Sequence, residues 1–239
     1  MKKPFIVSIT LMALLSLTCV QAQNVVFETM YLKPNTQNLK ELSENMKAHN
    51  EKYHAEGPYT ASTWQVISGE HTGMISWIMG PFTFADLGNR PSDGGHDEDW
   101  MGNVMPHTHG MKDGNYWRMW NDFGYSPSEG FQGAIWRVRY VDLKTGKYEE
   151  YQHLLGAIQK VYDANSFKSS MSVYDNWSNG GEADVALVWQ YPDWATFDED
   201  MQFWKKYEEV HGDNSWATFI EAIRDYTDNA WDEMYQRME

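Results

Sequence analysis

The sequence contains a single cysteine, Cys19, and it lies close to the amino terminus. A disulfide needs two cysteines and a thiolate zinc site needs several, so neither can stabilise the rest of this chain. Basic residues are also scarce, because 19 lysines and arginines stand against 34 acidic residues and leave a formal net charge of −15 at pH 7. Such an acidic surface repels phosphate backbones, which makes nucleic acid a poor partner.

The sequence also lacks the short motifs that identify common catalytic sites. It has no glycine-rich phosphate loop, no nucleophile elbow and no cysteine-based site. Beyond the amino-terminal segment, no apolar run approaches the roughly 20 residues that a membrane-spanning helix needs. No motif therefore indicates a cofactor, and no membrane span is expected.

The first 22 residues have the pattern of a cleavable secretory signal. Two lysines precede an apolar run from Pro4 to Val20, and Ala22 supplies the small residue of a cleavage site. We therefore predict a signal peptide over residues 1–22 and a mature domain that is periplasmic or secreted. Cys19 leaves a lipoprotein alternative open, although Thr18 fits poorly at the position before a lipidated cysteine.

Two strand-like segments recur at a fixed distance along the chain. Val25 to Leu32 and Ala134 to Val141 are both rich in β-branched and aromatic residues. Phe27 corresponds to Trp136 at an offset of 109 residues, and the two-residue alternation keeps its phase between the copies. This correspondence indicates an internal repeat.

A helical pattern follows each strand at the same offset. Its apolar residues are spaced 3, 4, 3 and 4 apart, which places them on one face of an α-helix. The two stripes are Leu39, Leu42, Met46, His49 and Tyr53 in the first copy and Tyr148, Tyr151, Leu155, Ile158 and Tyr162 in the second. Agreement at every stripe position strengthens the prediction of a repeat.

Each copy continues with two strands and a second helical segment. The strands are predicted at 60–67, 73–79, 170–175 and 183–191. A helix is predicted over about 197–210, and Trp117 and Trp120 also have helical spacing. We therefore predict two β-α-β-β-α repeats, a first one over residues 23–130 with a Gly/Asp/Asn-rich insertion and a second one over residues 131–239.

This tandem order of elements resembles the dimeric α/β-barrel superfamily of ferredoxin-like folds, which includes the antibiotic-biosynthesis monooxygenases. The resemblance covers nearly all of the mature chain and rests on element order and patterning. It implies an α+β fold in which two ferredoxin-like repeats pack sheet to sheet as an intrachain dimeric α/β barrel, with a ligand cleft between sheet and helices. Members include cofactor-free oxygenases, haem-binding enzymes and proteins without known activity, so the fold does not select a function.

Charged residues alternate with the aromatic face of the first strand in each copy. Glu28 corresponds to Arg137, and Met30 corresponds to Arg139. If this face lines the space between the two sheets, the charges must pair or bind a ligand there. The alternative is a partly solvated face with ordinary cross-strand ion pairs.

Histidines provide the candidate metal ligands. His107 and His109 are two residues apart, so both can reach one metal ion from an extended segment. Upstream, residues 96–99 (His-Asp-Glu-Asp) add further donors. Against this, His107 corresponds to His211, which stands alone where a helix dipole favours a cation at the helix end.

Three further histidines lie in or next to the predicted helices. His49 falls within the first apolar stripe, so we interpret it as a half-buried core residue, with a base that faces a ligand as the alternative. His54 and His153 lie off the stripes and are predicted to be exposed.

Three functions remain open from the sequence. The first is an exported small-molecule-binding protein or enzyme that uses a polar cavity near Glu28, Arg137, Arg139, His107 and His211. The second is a non-catalytic binding module, for glycans among other partners, that uses exposed aromatic residues, with Trp177 as the best candidate. The third is a metal- or haem-dependent oxidoreductase. The sequence does not set the oligomeric state.

Overall fold

The computed structural model describes residues 24–90, 94–178, 183–200 and 202–238. The predicted signal peptide and Cys19 lie outside these residues. The first half of the chain forms β1 (Val26–Pro34), α1 (Leu39–Tyr53), β2 (Ala61–Ser68), β3 (Ile75–Phe82), the short helices α2 (Phe84–Leu87) and α3 (His96–Asp99), a π-helical turn (Trp100–Val104), a 3-10 turn (Met105–His107) and β4 (Thr108–Tyr125).

The second half follows the same order with longer helices. It forms β5 (Ile135–Leu143), α4 (Tyr148–Ala164), β6 (Ser170–Asn176), β7 (Val185–Tyr191), α5 (Trp194–Asp200), α6 (Phe203–His211), α7 (Ser215–Tyr226) and β8 (Thr227–Arg237). In the part of the chain that the structure describes, no helix combines the length and the apolar character needed to cross a bilayer.

The eight strands form one closed antiparallel barrel in the order β1-β3-β2-β8-β5-β7-β6-β4. Two ladders join the halves, because β4 pairs with both β1 and β6, and β8 pairs with both β5 and β2. The chain therefore has the predicted α+β composition. Its two sheets, however, meet edge to edge through hydrogen bonds rather than as separate sheets packed face to face.

The fourth strand of each half is the main difference from the prediction. Each half was predicted to end with a helix, whereas the structure adds β4 and β8. Trp117 and Trp120 have helical spacing, but both lie on β4, where Trp117 faces the barrel interior and Trp120 packs against the second-half core. The two residues are three positions apart, so strand alternation places them on opposite faces of β4.

The two predicted stripes bury α1 and α4 against the outside of the barrel. Leu42, Met46 and His49 are buried on α1, and Tyr151, Leu155 and Tyr162 are buried on α4. The first stripe residues, Leu39 and Tyr148, are exposed because they lie at the open ends of the helices. The apolar face of each helix thus covers the outer face of its half of the barrel.

Aromatic side chains fill the barrel interior. Trp64 of β2 stacks on Trp136 of β5 with ring centroids 3.9 Å apart, and Phe27 and Tyr174 meet edge to face. The aromatic face of the first strands therefore points inward. Since successive strand residues point to opposite faces, the charged face of the first strands points outward to the helices and does not line the space inside the barrel.

A buried carboxylate, Glu233, supports a hydrogen-bond network at one end of this interior. Its oxygens accept hydrogen bonds from the hydroxyl groups of Tyr31 and Tyr235 and from the backbone N–H and the ring of His71. The hydroxyl of Tyr140 lies 3.1 Å from that of Tyr31 and 2.8 Å from that of Tyr235. Burial opposes ionisation of Glu233, but these hydrogen bonds outweigh it and lower the pKa of the carboxyl group.

Candidate functional site

Two clefts lie between the barrel and the helices that cover it. The first-half cleft has a volume of about 320 Å³ and lies between β1, β3, α1 and the segment that contains α3. The second-half cleft has a volume of about 310 Å³ and lies between β5, β7 and the helices α4 to α7. Both volumes suit a small organic molecule.

The predicted charged residues separate between these two clefts. Glu28 forms an ion pair with Arg90, which lines the first-half cleft. Arg137 and Arg139 line the second-half cleft, and both guanidinium groups donate to the carboxylate of Asp232 at 2.7 to 3.3 Å. The structure therefore does not bring Glu28 and the two arginines together.

The histidines predicted as ligands are also dispersed. His109 is exposed on β4, and His107 ends the 3-10 turn that precedes this strand. The ring of His211 lies in the last turn of α6, where its Nε2 contacts the carbonyl oxygen of Ala157 at 2.9 Å. In the described part of the chain, none of the three belongs to a cluster of metal-binding side chains.

A different group of histidines converges in the first-half cleft. His49 belongs to α1, His54 follows directly after that helix, and His96 begins α3. The ring centroids lie 5.2 Å apart for His49 and His54, 4.9 Å apart for His49 and His96, and 5.2 Å apart for His54 and His96. One ring nitrogen from each residue lies within 4.8 Å of those of the other two.

Each of these rings is held through its Nδ1 atom. Asp99 accepts the hydrogen bond of His49 at 2.7 Å, the carbonyl oxygen of Tyr59 accepts that of His54 at 2.8 Å, and Asp97 accepts that of His96 at 2.8 Å. Carboxylate and carbonyl oxygens can only accept, so Nδ1 carries the hydrogen in each ring. The Nε2 of His49 then has no hydrogen-bond partner among the described residues, and the Nε2 atoms of His54 and His96 face each other at 3.1 Å.

Burial keeps the two helix-associated rings neutral. Burial lowers the pKa of His49, and the hydrogen bond to Asp99 opposes that change only in part. Burial also lowers the pKa of His54 to about 4. The hydrogen bond from His49 in turn lowers the pKa of Asp99, which stays ionised. At neutral pH His49 and His54 therefore offer nitrogen lone pairs.

The remaining walls of the first-half cleft are mainly apolar. Its floor is formed by strand residues, and its sides are formed by α1, the turn that follows α1 and the π-helical turn: Met30, Trp77, Met79, Tyr53, Tyr59, Trp100 and Met101. A cleft with apolar walls and a few convergent polar groups at one end is the usual form of a small-molecule site. The cluster can act as a base through His49 or coordinate a transition metal through all three rings.

Only part of this site was predictable from the sequence. His49 was interpreted as a half-buried core residue and is 1% exposed, and His96 was noted as a donor, but His54 was predicted to be exposed. His54 is 6% exposed, because the chain turns back after α1 and Ala61 donates its N–H to the carbonyl oxygen of His54. The turn signal Gly57-Pro58 was visible in the sequence, but it does not show which side chain the turn covers.

The surface expected for the glycan-binding alternative is not found among the residues that the structure describes. It requires coplanar exposed aromatic rings near the first-half insertion. Trp177 is 55% exposed, but its ring is tilted by 56° from that of Phe84 at 5.2 Å. The other exposed tryptophans in the described residues, Trp194 and Trp204, belong to α5 and α6 of the second half.

No protein-family model matches this sequence, and no curated protein matches it. Solved structures do resemble it. A proposed monooxygenase from Fusobacterium nucleatum is 8% identical with a TM-score of 0.61, covering 91% of this chain and 94% of that one. A proposed monooxygenase from Lactobacillus acidophilus is 11% identical with a TM-score of 0.59, covering 91% and 95%.

A haem-binding protein from Thermus thermophilus is a third similar structure, 9% identical with a TM-score of 0.51, covering 91% of this chain and 92% of that one. At these identities the likeness concerns the fold and not the chemistry. The similar proteins are of the dimeric α/β-barrel type, and the closed antiparallel barrel with helices on its outside agrees with them. This chain therefore shares the fold of these structures, an α+β fold built around one closed antiparallel barrel.

Proposed function

We propose that this protein is an enzyme that acts on a compact apolar or aromatic molecule in the first-half cleft, with His49, His54 and His96 as its reactive end. One observation carries the proposal. The ring of His49 is 1% exposed, yet its Nε2 has no hydrogen-bond partner among the described residues. An unsatisfied buried nitrogen costs about 1–3 kcal/mol, and a bound group that contacts it would recover that cost.

The rest of the cleft supports an apolar substrate. Three methionines and four aromatic residues line it, and thioether and ring surfaces adapt to flat apolar molecules. The names of the similar structures, monooxygenases and a haem-binding protein, are compatible with this class of ligand.

Titration with 2-naphthol tests the proposal, because this probe combines a flat apolar body with one hydroxyl group. We expect saturable quenching of the fluorescence of Trp77 and Trp100, which line the cleft. The substitution Met30→Trp fills the cleft from β1 and is expected to weaken binding by at least about tenfold, which corresponds to about 1.4 kcal/mol.

The matched control fills the other cleft. Ile158→Trp places the same side chain in the second-half cleft, at the position that corresponds to His49, and is expected to leave 2-naphthol binding unchanged. Binding that survives Met30→Trp and is lost in Ile158→Trp would contradict the proposal.

The second-half cleft supports a second candidate, binding of an amphipathic anion. Two guanidinium groups share the single carboxylate of Asp232, so one positive charge remains at the edge of an apolar cleft. The carboxylate probe 2-naphthoate distinguishes the candidates, since it would bind there and depend on Arg137 and Arg139.

We also propose that the chain is exported and that its halves arose as two ferredoxin-like repeats. The signal pattern of residues 1–22 supports export, and the starts of β1 and β5, like those of α1 and α4, lie 109 residues apart in support of the repeat. Mass spectrometry of the protein from its native host is expected to find a chain that begins at Gln23. An amino terminus at Met1 would contradict cleavage, and a lipidated Cys19 would show an anchored form.

A further inference from the structure

In their neutral form, the rings of the histidine cluster turn nitrogen lone pairs toward one another. A neutral imidazole has one N–H group, and an oxygen acceptor takes it at Nδ1 in each ring. The Nε2 atoms of His54 and His96 nevertheless lie 3.1 Å apart. Two lone pairs at that distance repel each other unless a cation contacts both nitrogens.

The ring of His49 also has a nitrogen that needs a partner. The Nε2 of His49 is buried without a hydrogen-bond partner among the described residues. Imidazole nitrogens bind a zinc-like ion at about 2.0–2.1 Å, which places two such ligands about 3.3 Å apart in a tetrahedral site. The His54 and His96 nitrogens are already near that spacing, and His49 lies within 4.8 Å of them.

The partners of the Nδ1 atoms match the outer shell of a metal site. Histidines that bind metals almost always donate their other N–H to a carboxylate or a backbone carbonyl, which fixes the tautomer and the ring orientation. Asp99, Tyr59 and Asp97 provide these acceptors for the three rings. The cluster therefore has both the free nitrogens and the supports of a coordinating set.

The local charge also favours a cation. Asp97, Asp99 and Glu28 contribute three negative charges around the cleft, against the positive charges of Arg90 and Lys52. One negative charge remains to offset a bound divalent ion. A nitrogen-only ligand set suits zinc, copper, iron or nickel and does not suit magnesium or calcium, which prefer oxygen ligands.

We propose that His49, His54 and His96 bind a divalent first-row transition-metal ion through their Nε2 atoms, with the remaining coordination position open to the first-half cleft. Three protein ligands with an open position are typical of catalytic rather than structural zinc sites. The proposal rests on the proposed function only for the statement that this open position faces a substrate.

Titration of the chelator-treated full-length chain with Zn(II) tests the proposal. We expect one ion per chain by calorimetry, and Co(II) is expected to give the visible absorption of a four-coordinate site. His54→Asn and His96→Asn are each expected to weaken Zn(II) binding by more than about 100-fold, and Asp99→Asn by about 10- to 100-fold.

Two exposed histidines provide controls. His153→Asn and His109→Asn remove imidazoles from the surface and are expected to leave Zn(II) affinity unchanged. X-ray absorption of the zinc-loaded wild type does not depend on whether any variant folds, and it is expected to count three imidazole ligands. Absence of binding by Zn(II), Co(II), Ni(II), Cu(II) and Fe(II), fewer than three imidazoles, or loss of the ion in His109→Asn would overturn the proposal.

The result is separable from the proposed function. If the chelated protein binds 2-naphthol in the first-half cleft but no metal ion, the metal proposal fails while the cleft proposal stands. If the metal ion binds with three imidazoles but no probe enters the cleft, the proposed function fails and the metal site stands.

Discussion

Replacing Glu233 with alanine is expected to lower the free energy of unfolding by about 3–5 kcal/mol, because the change removes one partner from a buried network. Glu233 is 0% exposed, and its carboxylate accepts hydrogen bonds from Tyr31, Tyr235 and His71. Without it, these donors stay buried, and the His71 ring loses the hydrogen bond that raises its pKa. Urea unfolding followed by circular dichroism measures the loss.

Glu233→Gln is the matched control, since the amide keeps the shape and one acceptor oxygen. We expect a smaller loss at pH 7, of about 1–3 kcal/mol. The pKa of Glu233 is lower in the folded chain than the unfolded value of about 4.3, so its ionisation contributes stability above about pH 4.3 that is lost as the pH falls through the folded pKa. The difference in free energy of unfolding between the wild type and the glutamine variant is therefore expected to become smaller in acid. A difference that grows in acid would show that Glu233 is not ionised in the network.

Trp64→Ala is expected to cost about 3–5 kcal/mol, as truncation of a buried aromatic residue leaves a cavity that the barrel cannot close. Trp64 is 2% exposed, stacks on Trp136 and donates from Nε1 to the hydroxyl of Ser62 at 2.9 Å. The strands around it are fixed by continuous ladders, which limits relaxation. Thermal unfolding and near-ultraviolet circular dichroism report the loss of stability and of aromatic packing.

Trp194→Ala makes the same truncation at the surface. Trp194 is 51% exposed at the start of α5, so the expected change is within about 0.5 kcal/mol. Equal losses in the two variants would mean that the stacked pair does not form the interior of the barrel.

The first strand and first helix of each half were predictable because the short-range periodicity of the sequence determines them. The stripes of α1 and α4 and the alternation in β1 and β5 appear in the structure at the predicted positions. The strands β4 and β8 escaped prediction for a physical reason. Gly110 and Gly114 interrupt the pattern of β4, and the polar run of β8 contains few strand-forming residues. Hydrogen bonding to one neighbouring strand on each side determines these strands more than their own β-propensity does.

The candidate site was less predictable because it depends on contacts between distant segments. His49 and His54 lie on and just after one helix, and His96 approaches them only because the insertion folds back over α1. The hydroxyl of Tyr53 donates a hydrogen bond to the carbonyl oxygen of Gly95 and so fixes the start of α3 against α1. No sequence pattern predicts this contact. The charged residues Glu28 and Arg137 were correctly placed on one face of their strands, but the sequence does not state which face turns inward.

The position of β8, the last strand along the chain, affects how the protein folds during its synthesis. Because β8 lies between β2 and β5, the edges of both strands stay unpaired until residue 237 has left the ribosome. Unpaired strand edges recruit other chains, so the edges of β2 and β5 are open to aggregation from the time each strand forms until β8 pairs with them. A chaperone that shields those two edges until β8 docks is therefore expected to raise the yield of folded protein.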